Sequence, residues 1–179
     1  MTPLTAALVE LDHEAYTASP DVIRLHSAGR WRAEGFTLGE DLELVAAHAK
    51  DHESGRAFTF ALLDPRRSRA VGCLYVRPLD GPLPGAAGDR GGSAPSAMVT
   101  FWVRQDEQTT GLVDEVVRAV QDWLRTAWPL AAHVFRVLPA EVASCAALDR
   151  LGLERVQIGP RYEDRPYRWY LSTDGPILA

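Results

Sequence analysis

The residues best placed for chemistry in this chain lie between Val103 and Val113. An alternating apolar run, Ala97-Met98-Val99-Thr100-Phe101-Trp102-Val103, ends at Arg104 and gives way to a short polar connection reaching Gly111. Beyond it Leu112, Val113, Val116, Val117, Val120, Leu124 and Ala127 recur at helical spacing, so one face of that helix is core. Strand, tight connection and helix start therefore bring several backbone N–H groups, those of Thr109 to Val113, around one point. Unsatisfied N–H groups at the positive end of a helix suit an anion, and a pyrophosphate in particular. Gln108 and the hydroxyls of Thr109 and Thr110 can add further donors, with one of the two threonines as the N-cap. The pattern points to a phosphorylated cofactor.

The spacing of Val103, Gln108, Thr109, Thr110 and Gly111 resembles the signature of the GNAT (Gcn5-related N-acetyltransferase) superfamily. There a strand ends in Val and Gln/Arg-x-x-Gly-x-Gly/Ala opens the helix. Gln108 and Gly111 match, and Val113 stands where the family prefers Gly or Ala. A second stretch, Ser144-Cys145-Ala146-Ala147-Leu148-Asp149-Arg150-Leu151-Gly152-Leu153, is similar to the family's later helix, with Glu141 in place of an Asn and Leu153 in place of a Phe. The resemblance implies a mixed α/β (α+β) acyl-CoA N-acyltransferase-like fold, a central twisted sheet flanked by helices, with acetyl-CoA as co-substrate and no metal. It implies that the backbone near Phe101, Trp102 and Val103 holds the pantetheine arm and thioester. The pyrophosphate would rest on Gln108, Thr109, Thr110, Gly111, Leu112 and Val113, and Ser144 would touch the cofactor arm.

Attack of an amine on a thioester needs loss of one proton and delivery of another to the leaving thiolate. Many relatives supply a Tyr four residues before the Gly that ends the later helix; Leu148 stands there, so that acid does not carry over. Glu34, Tyr75, Tyr162, Glu163 and Tyr167 are the weak candidates, with water as the other source. Trp102 is the one tryptophan placed to line an acceptor pocket; Trp31, Trp123, Trp128 and Trp169 read as core. His48 and His52 are four apart, but without a third ligand they read as a solvated helix face. Cys73 and Cys145 fall within a strand and a helix, with no activated-nucleophile or metal spacing, which favours direct transfer and a reduced, cytoplasmic setting.

A chain of 179 residues, 46% hydrophobic and 24% charged, suits one soluble domain spanning 1–179. The net charge of −5 argues against a general nucleic-acid or anionic-membrane binder. Of the nineteen basic residues only Lys50 is lysine; the arginines are scattered and read as a compositional habit of the genome. No signal-peptide pattern and no run of eighteen apolar residues is visible.

The elements that must position the site follow. Weak periodicity suggests a first strand near Ala7 to Leu11. Ser19-Pro20-Asp21 opens a helix to about Ala28, and Thr37 with Glu40 forms a capping box for a second, with Leu42, Val45, Ala46 and Ala49 on its core face. Two strands, Ala57 to Leu63 and Arg69 to Arg77, flank an Asp64-Pro65 turn. A Gly/Pro-rich flexible loop covers about 78–96. The strand Met98 to Arg104, the helix Gly111 to Ala127, a strand Ala132 to Leu138, a helix opened by Pro139 and ended at Leu151, and strands Glu154 to Gly159 and Tyr167 to Ser172 complete the domain. The expected function is acyl-CoA-dependent N-acetylation of an amine, either a small molecule or a protein N-terminus, by a monomer or homodimer. The alternative is a non-catalytic acyl-CoA-binding or sensing module, favoured by Leu148 and Val113.

Overall fold

The computed structural model describes residues 1–79, 83, 95–158 and 166–172. Most of the expected loop at 78–96 lies outside them, as do Tyr162 and Glu163. Seven strands form one mixed sheet in the order β1-β2-β3-β4-β5-β7-β6. The chain divides into two compact units, Met1–Arg77 with Thr100–Leu112, and Pro78–Val99 with Val113–Ala179.

In the first unit, β1 is only Thr2–Pro3 and pairs antiparallel with β2, Phe58–Leu63. The strand expected at Ala7 to Leu11 is instead a 3-10 turn, Ala6–Leu8, running into helix α1, Val9–Thr17. The buried face of α1 is Asp12, Ala15 and Tyr16. A buried aspartate in the apolar stripe hid the helical period from a reading based on hydrophobicity alone.

Helix α2, Pro20–His26, starts where expected, with Pro20 in its first turn, but stops short of Ala28, where the backbone turns to positive φ at Ala28 and Gly29. Ser19 does not cap it through its hydroxyl. That hydroxyl donates to the Ala15 carbonyl at 2.8 Å and accepts from the Gln105 N–H at 3.1 Å. The Asp21 N–H in the first turn is satisfied by the Gln105 side-chain oxygen at 3.0 Å. Helix α3, Leu38–Glu53, has the predicted capping box, with both reciprocal bonds between Thr37 and Glu40 present. Its core face differs from the expected one. Asp41 and Val45 are buried, His48 and His52 are half-buried against Tyr75, Phe58 and Phe60, and Leu42 is 45% exposed. The solvated face expected for His48 and His52 is thus a packed one.

Strand β3, Ala70–Leu79, pairs antiparallel with β2, with a register shift between Leu62 and Leu63 opposite Gly72. A side chain cannot replace hydrogen at Gly72, because a Cβ there would sit 2.1 Å from the Trp102 carbonyl oxygen. The core of this unit gathers Tyr16, Ile23, Val45, Ala61, Cys73 and Trp102 from all its helices and three of its strands.

Strand β4, Ser96–Val103, contributes its first four residues to the second unit and the rest to the first. In the second unit β4 runs parallel to β5, Ala132–Val137, in the register Ser96↔Ala132 to Val99↔Phe135. Strand β7, Arg168–Ser172, pairs antiparallel with β5 and with β6, Glu154–Val156. Helix α4, Leu112–Ala127, buries Val113, Val116, Val117, Val120 and Leu124, as the periodicity predicts. Helix α5 is Val142–Arg150, three residues later than a start at Pro139. Pro139 lies in the preceding turn, where the Glu141 carboxylate accepts the Leu138 N–H at 2.6 Å and holds the chain off helical geometry. Gly152, at φ +75, follows the end of α5 as predicted.

Candidate functional site

The connection from β4 to α4 is braced from below and open above. The Gln108 amide donates to the carbonyls of Val103 at 2.6 Å and Arg104 at 3.4 Å, tying the loop to the end of its strand. Arg104 is buried and its guanidinium bonds Glu14 and Asp106, while Arg69 bonds Asp106 and, at 2.7 Å, Glu107. Gln105 fastens the loop to α2. The Thr110 hydroxyl donates to Glu107 at 3.0 Å and accepts the Leu112 N–H at 3.4 Å, one position outside the non-helical Gly111 that precedes α4.

Thr109, Thr110 and Gly111 are exposed, and Gly111 takes φ +90 with open space where a Cβ would stand. The donors anticipated at Gln108 and Thr110 are therefore spent within the loop, while the exposed Thr109 hydroxyl and the backbone at Gly111 face outward. Val113 turns its branched side chain into the core, so it does not crowd the helix start.

Phe101, Trp102 and Val103 are all buried at the end of β4. The Trp102 indole N–H donates to the Tyr75 hydroxyl at 3.3 Å, and its ring meets Tyr16 edge-on at 6.4 Å. Ser144 and Leu148 are both buried on α5 in the second unit. Leu148 has no exposed surface and no proton to give. Glu34 is exposed in the connection between α2 and α3, and Tyr167 lies with its ring under the Arg136 guanidinium, 4.5 Å from its centroid. Tyr162 falls outside the described residues.

The first unit also holds groups that motif reading overlooked. Asp12 on α1 and Asp41 on α3 are 6% and 0% exposed, and one oxygen of Asp12 and both of Asp41 have no hydrogen-bond partner. The nearest cation-forming group, the Nδ1 of His13, stands 3.9 Å from Asp41. Burial, and then the neighbouring Asp41 charge, push the Asp12 carboxyl up to about 7. Burial pushes Asp41 up to about 6, against the pull of His13. Burial and both carboxylates push the Tyr16 phenol up to about 12, which places all three groups within electrostatic reach of one another. Burial likewise raises the Cys73 thiol and the Tyr75 phenol well above their ordinary values.

An aromatic band runs past these carboxylates. Trp31 and Tyr75 stand 6.1 Å apart, His26 stacks on Tyr75 at 5.9 Å, and Tyr16 meets Phe36 at 4.7 Å. The signal that would have found Asp12 and Asp41 is an aspartate inside the buried stripe of each helix.

Among the described residues no cluster of His, Cys, Asp or Glu is arranged to hold a metal, and no helix is long and apolar enough to cross a membrane. Both cysteines are free and buried.

Solved structures share this architecture. The ribosomal-protein-S5-alanine acetyltransferase of Vibrio fischeri aligns with a TM-score of 0.66 at 14% identity, over 95% of this chain and 90% of that one. A ribosomal L7/L12 alpha-N-protein acetyltransferase in complex with coenzyme A aligns at 0.64 and 13% identity, over 96% and 91%. The microcin C7 self-immunity acetyltransferase, solved with acetyl-CoA and AMP, aligns at 0.64 and 12% identity, over 96% and 88%. At such identities the likeness shows the fold. No curated protein sequence matches the chain. The family model of the acetyltransferase (GNAT) domain matches residues 1–154, which takes in both signature stretches and reaches into both compact units. With that match the chain belongs to the GNAT acetyltransferase family and is a GNAT-type N-acetyltransferase.

Proposed function

We propose that the chain, acting as one functional domain over 1–179, transfers the acetyl group of acetyl-CoA directly to an amine, with the pyrophosphate of acetyl-CoA seated on the backbone at the start of α4. The observation that carries this reading is Gly111. It is exposed, at φ +90, with nothing within 4 Å of where a Cβ would stand, above a loop whose side chains brace it from beneath. Exposed backbone and the Thr109 hydroxyl face outward there, at the positive end of a sixteen-residue helix.

The backbone of Phe101 to Val103 takes the thioester end in this reading, and Ser144 is the second unit's candidate contact for the cofactor arm. Peptide N–H groups at the carbonyl stabilise the negative charge that develops on its oxygen. The lone pair of the neutral amine attacks the thioester carbon; the C–N bond forms and the C–S bond breaks. The amine nitrogen gives up one proton, and the departing thiolate gains one. Leu148 cannot deliver that proton, so it comes from water or from a hydroxyl such as that of Tyr167. The buried, desolvated Cys73 thiol is no nucleophile, which supports direct transfer over an acyl-enzyme. Two free thiols support a reducing, cytoplasmic setting. The structural neighbours that act on ribosomal proteins make a protein N-terminus one acceptor to test beside small amines.

Acetyl-CoA should raise the melting temperature, and pantetheine lacking phosphates should raise it less. Gly111→Asp and Gly111→Asn carry the same backbone strain and differ in charge. Affinity for acetyl-CoA should fall about tenfold or more further in the Asp variant. Equal affinity in the two folded variants would move the phosphate seat elsewhere. No melting shift with acetyl-CoA at about 1 mM, some thousandfold above a micromolar Kd, would remove the cofactor reading itself.

A further inference from the structure

We infer that Arg69 is a positioning residue for acetyl-CoA: its guanidinium holds the Glu107 carboxylate aside, so that the chain's own acid does not occupy the start of α4 in place of the pyrophosphate. This rests on the phosphate seat proposed above, and it names what keeps that seat open.

The connection from β4 to α4 carries two successive acids, Asp106 and Glu107, a few residues ahead of Gly111. A carboxylate near a helix N-terminus is stabilised by the same N–H groups and the same dipole that suit a phosphate. Being tethered, it competes with the cofactor at a high effective concentration. Glu107 is within reach. Its Oε2 accepts the Thr110 hydroxyl at 3.0 Å, and that hydroxyl accepts the Leu112 N–H, the first of α4, at 3.4 Å. One hydroxyl thus stands between the carboxylate and the helix start.

Arg69 holds it there. Its Nη1 donates to Glu107 Oε1 at 2.7 Å and its Nη2 to Asp106, so one planar fork spans both carboxylates. Arg69 stands thirty-eight positions before Glu107, in the turn that leads into β3, and its backbone is fixed. Asp64 Oδ1 accepts the N–H groups of Ser68 and Arg69 at 2.7 and 2.8 Å, and the Arg69 carbonyl accepts the Asp64 N–H at 2.9 Å. The other tethers of the loop act earlier in it. Arg104 bonds Glu14 and Asp106, and Gln105 bonds Ser19 and Asp21. They secure the strand end, whereas Arg69 reaches the acid that lies beside the seat. All these residues belong to the first unit.

The pair is not needed for folding on this account. The side chains of Arg69 and Glu107 are 36% and 22% exposed, and an ion pair in contact with water adds little stability. Its loss is read in ligand affinity.

The test is a double-mutant cycle on the whole chain, with calorimetry giving the Kd of acetyl-CoA at about 0.15 M salt, where charges more than about 8 Å apart are largely screened. Arg69→Gln should weaken binding about tenfold, the scale of one charge-assisted contact. Glu107→Gln alone should stay within about twofold of the parent, and combined with Arg69→Gln it should restore that affinity, because the harm lies in the released carboxylate. Arg69→Lys keeps a cation but not the fork, and should fall between the parent and Arg69→Gln. It carries the same cycle if Arg69→Gln does not fold. Melting temperatures without cofactor should stay near the parent's, whereas a structural role would lower them along with affinity. A double variant as weak as Arg69→Gln overturns the inference, since Arg69 would then touch the cofactor or hold the fold. Glu107→Gln binding tighter by as much as Arg69→Gln binds weaker also overturns it, as an effect of net charge. So does parent affinity in Arg69→Gln. Any of these results, with the Gly111 variants differing as expected, fails the positioning role alone; a parent that binds no acetyl-CoA fails both readings.

Discussion

Asp12 and Asp41 in the first unit and Asp114 and Asp149 in the second all belong to helices, yet their surroundings are opposite. Asp114 accepts two bonds from Arg150, at 3.0 and 2.7 Å, and the Nε of Arg155 bonds Asp149 at 3.1 Å. The arginine beside each holds its carboxyl below the usual carboxylate range. Asp12 and Asp41 have no arginine, no water contact to speak of, and carboxyls pushed up to about 7 and about 6. Charge that only has to be solvated or paired goes to the surface with a planar, bidentate partner. Charge left bare inside a domain costs stability, and the raised values of Asp12 and Asp41 are the response to that cost. Two of the arginines, Arg150 and Arg155, serve these pairs.

The largest expected effect is steric and tests whether the first unit's cluster depends on close backbone approach. Gly72→Ala would drive a Cβ to 2.1 Å from the Trp102 carbonyl oxygen, and backbone on that side cannot move as a side chain tip can. A loss of about 1–3 kcal/mol or more is expected in denaturant unfolding, together with a changed indole fluorescence from Trp102. A variant as stable as the parent would mean that β3 and β4 are not held that closely, and the cluster beside them would lose its geometric basis.

Next in size is the pH dependence of stability, where the two regions should show opposite signs. Asp12 and Asp41 have folded values above the ordinary 3.8, so the folded state binds protons more tightly than the unfolded one. Stability should therefore fall as pH rises from about 4 to about 7, and stay level above. Asp114 and Asp149 have depressed values, so what they contribute is present above the ordinary carboxylate value and is lost as pH falls through the folded one. The double variant Asp12→Asn/Asp41→Asn should flatten the slope between about 4 and 7 and leave the acid limb unchanged. Urea midpoints across pH measure both, and a slope surviving in the double variant would assign it to other groups.

The smallest effect belongs to the surface. Arg150→Gln leaves Asp114 without its partner in the first turn of α4, close to the proposed phosphate seat. Stability should hardly change, as is usual for exposed ion pairs. Acetyl-CoA affinity should drop about two- to threefold at low salt, and the difference should vanish as salt screens it. An effect insensitive to salt would point to a direct contact of Arg150 with the cofactor instead.

Local chemistry made much of this protein readable from its residues. The capping box of α3, the core face of α4, the glycine ending α5 and the strand–loop–helix signature around Gly111 depend on neighbours within a few positions, and each formed where the sequence placed it. The family follows from the same local spacing. Three features depended on tertiary packing. The first helix was expected as a strand, and the core face of α3 keeps Val45 but turns from Leu42 and Ala46 towards Asp41, because in both an aspartate occupies the buried stripe. An aspartate goes inside only when other parts of the chain, or a ligand, reward its burial, and hydrophobic periodicity carries no such information. The outward donors expected at Gln108 and Thr110 were likewise taken up by Val103, Arg104 and Glu107. Sequence determined where strand, loop and helix start would meet around Gly111; tertiary structure decided which side chains would be left bare in the interior, since that depends on groups distant in the chain converging on one place.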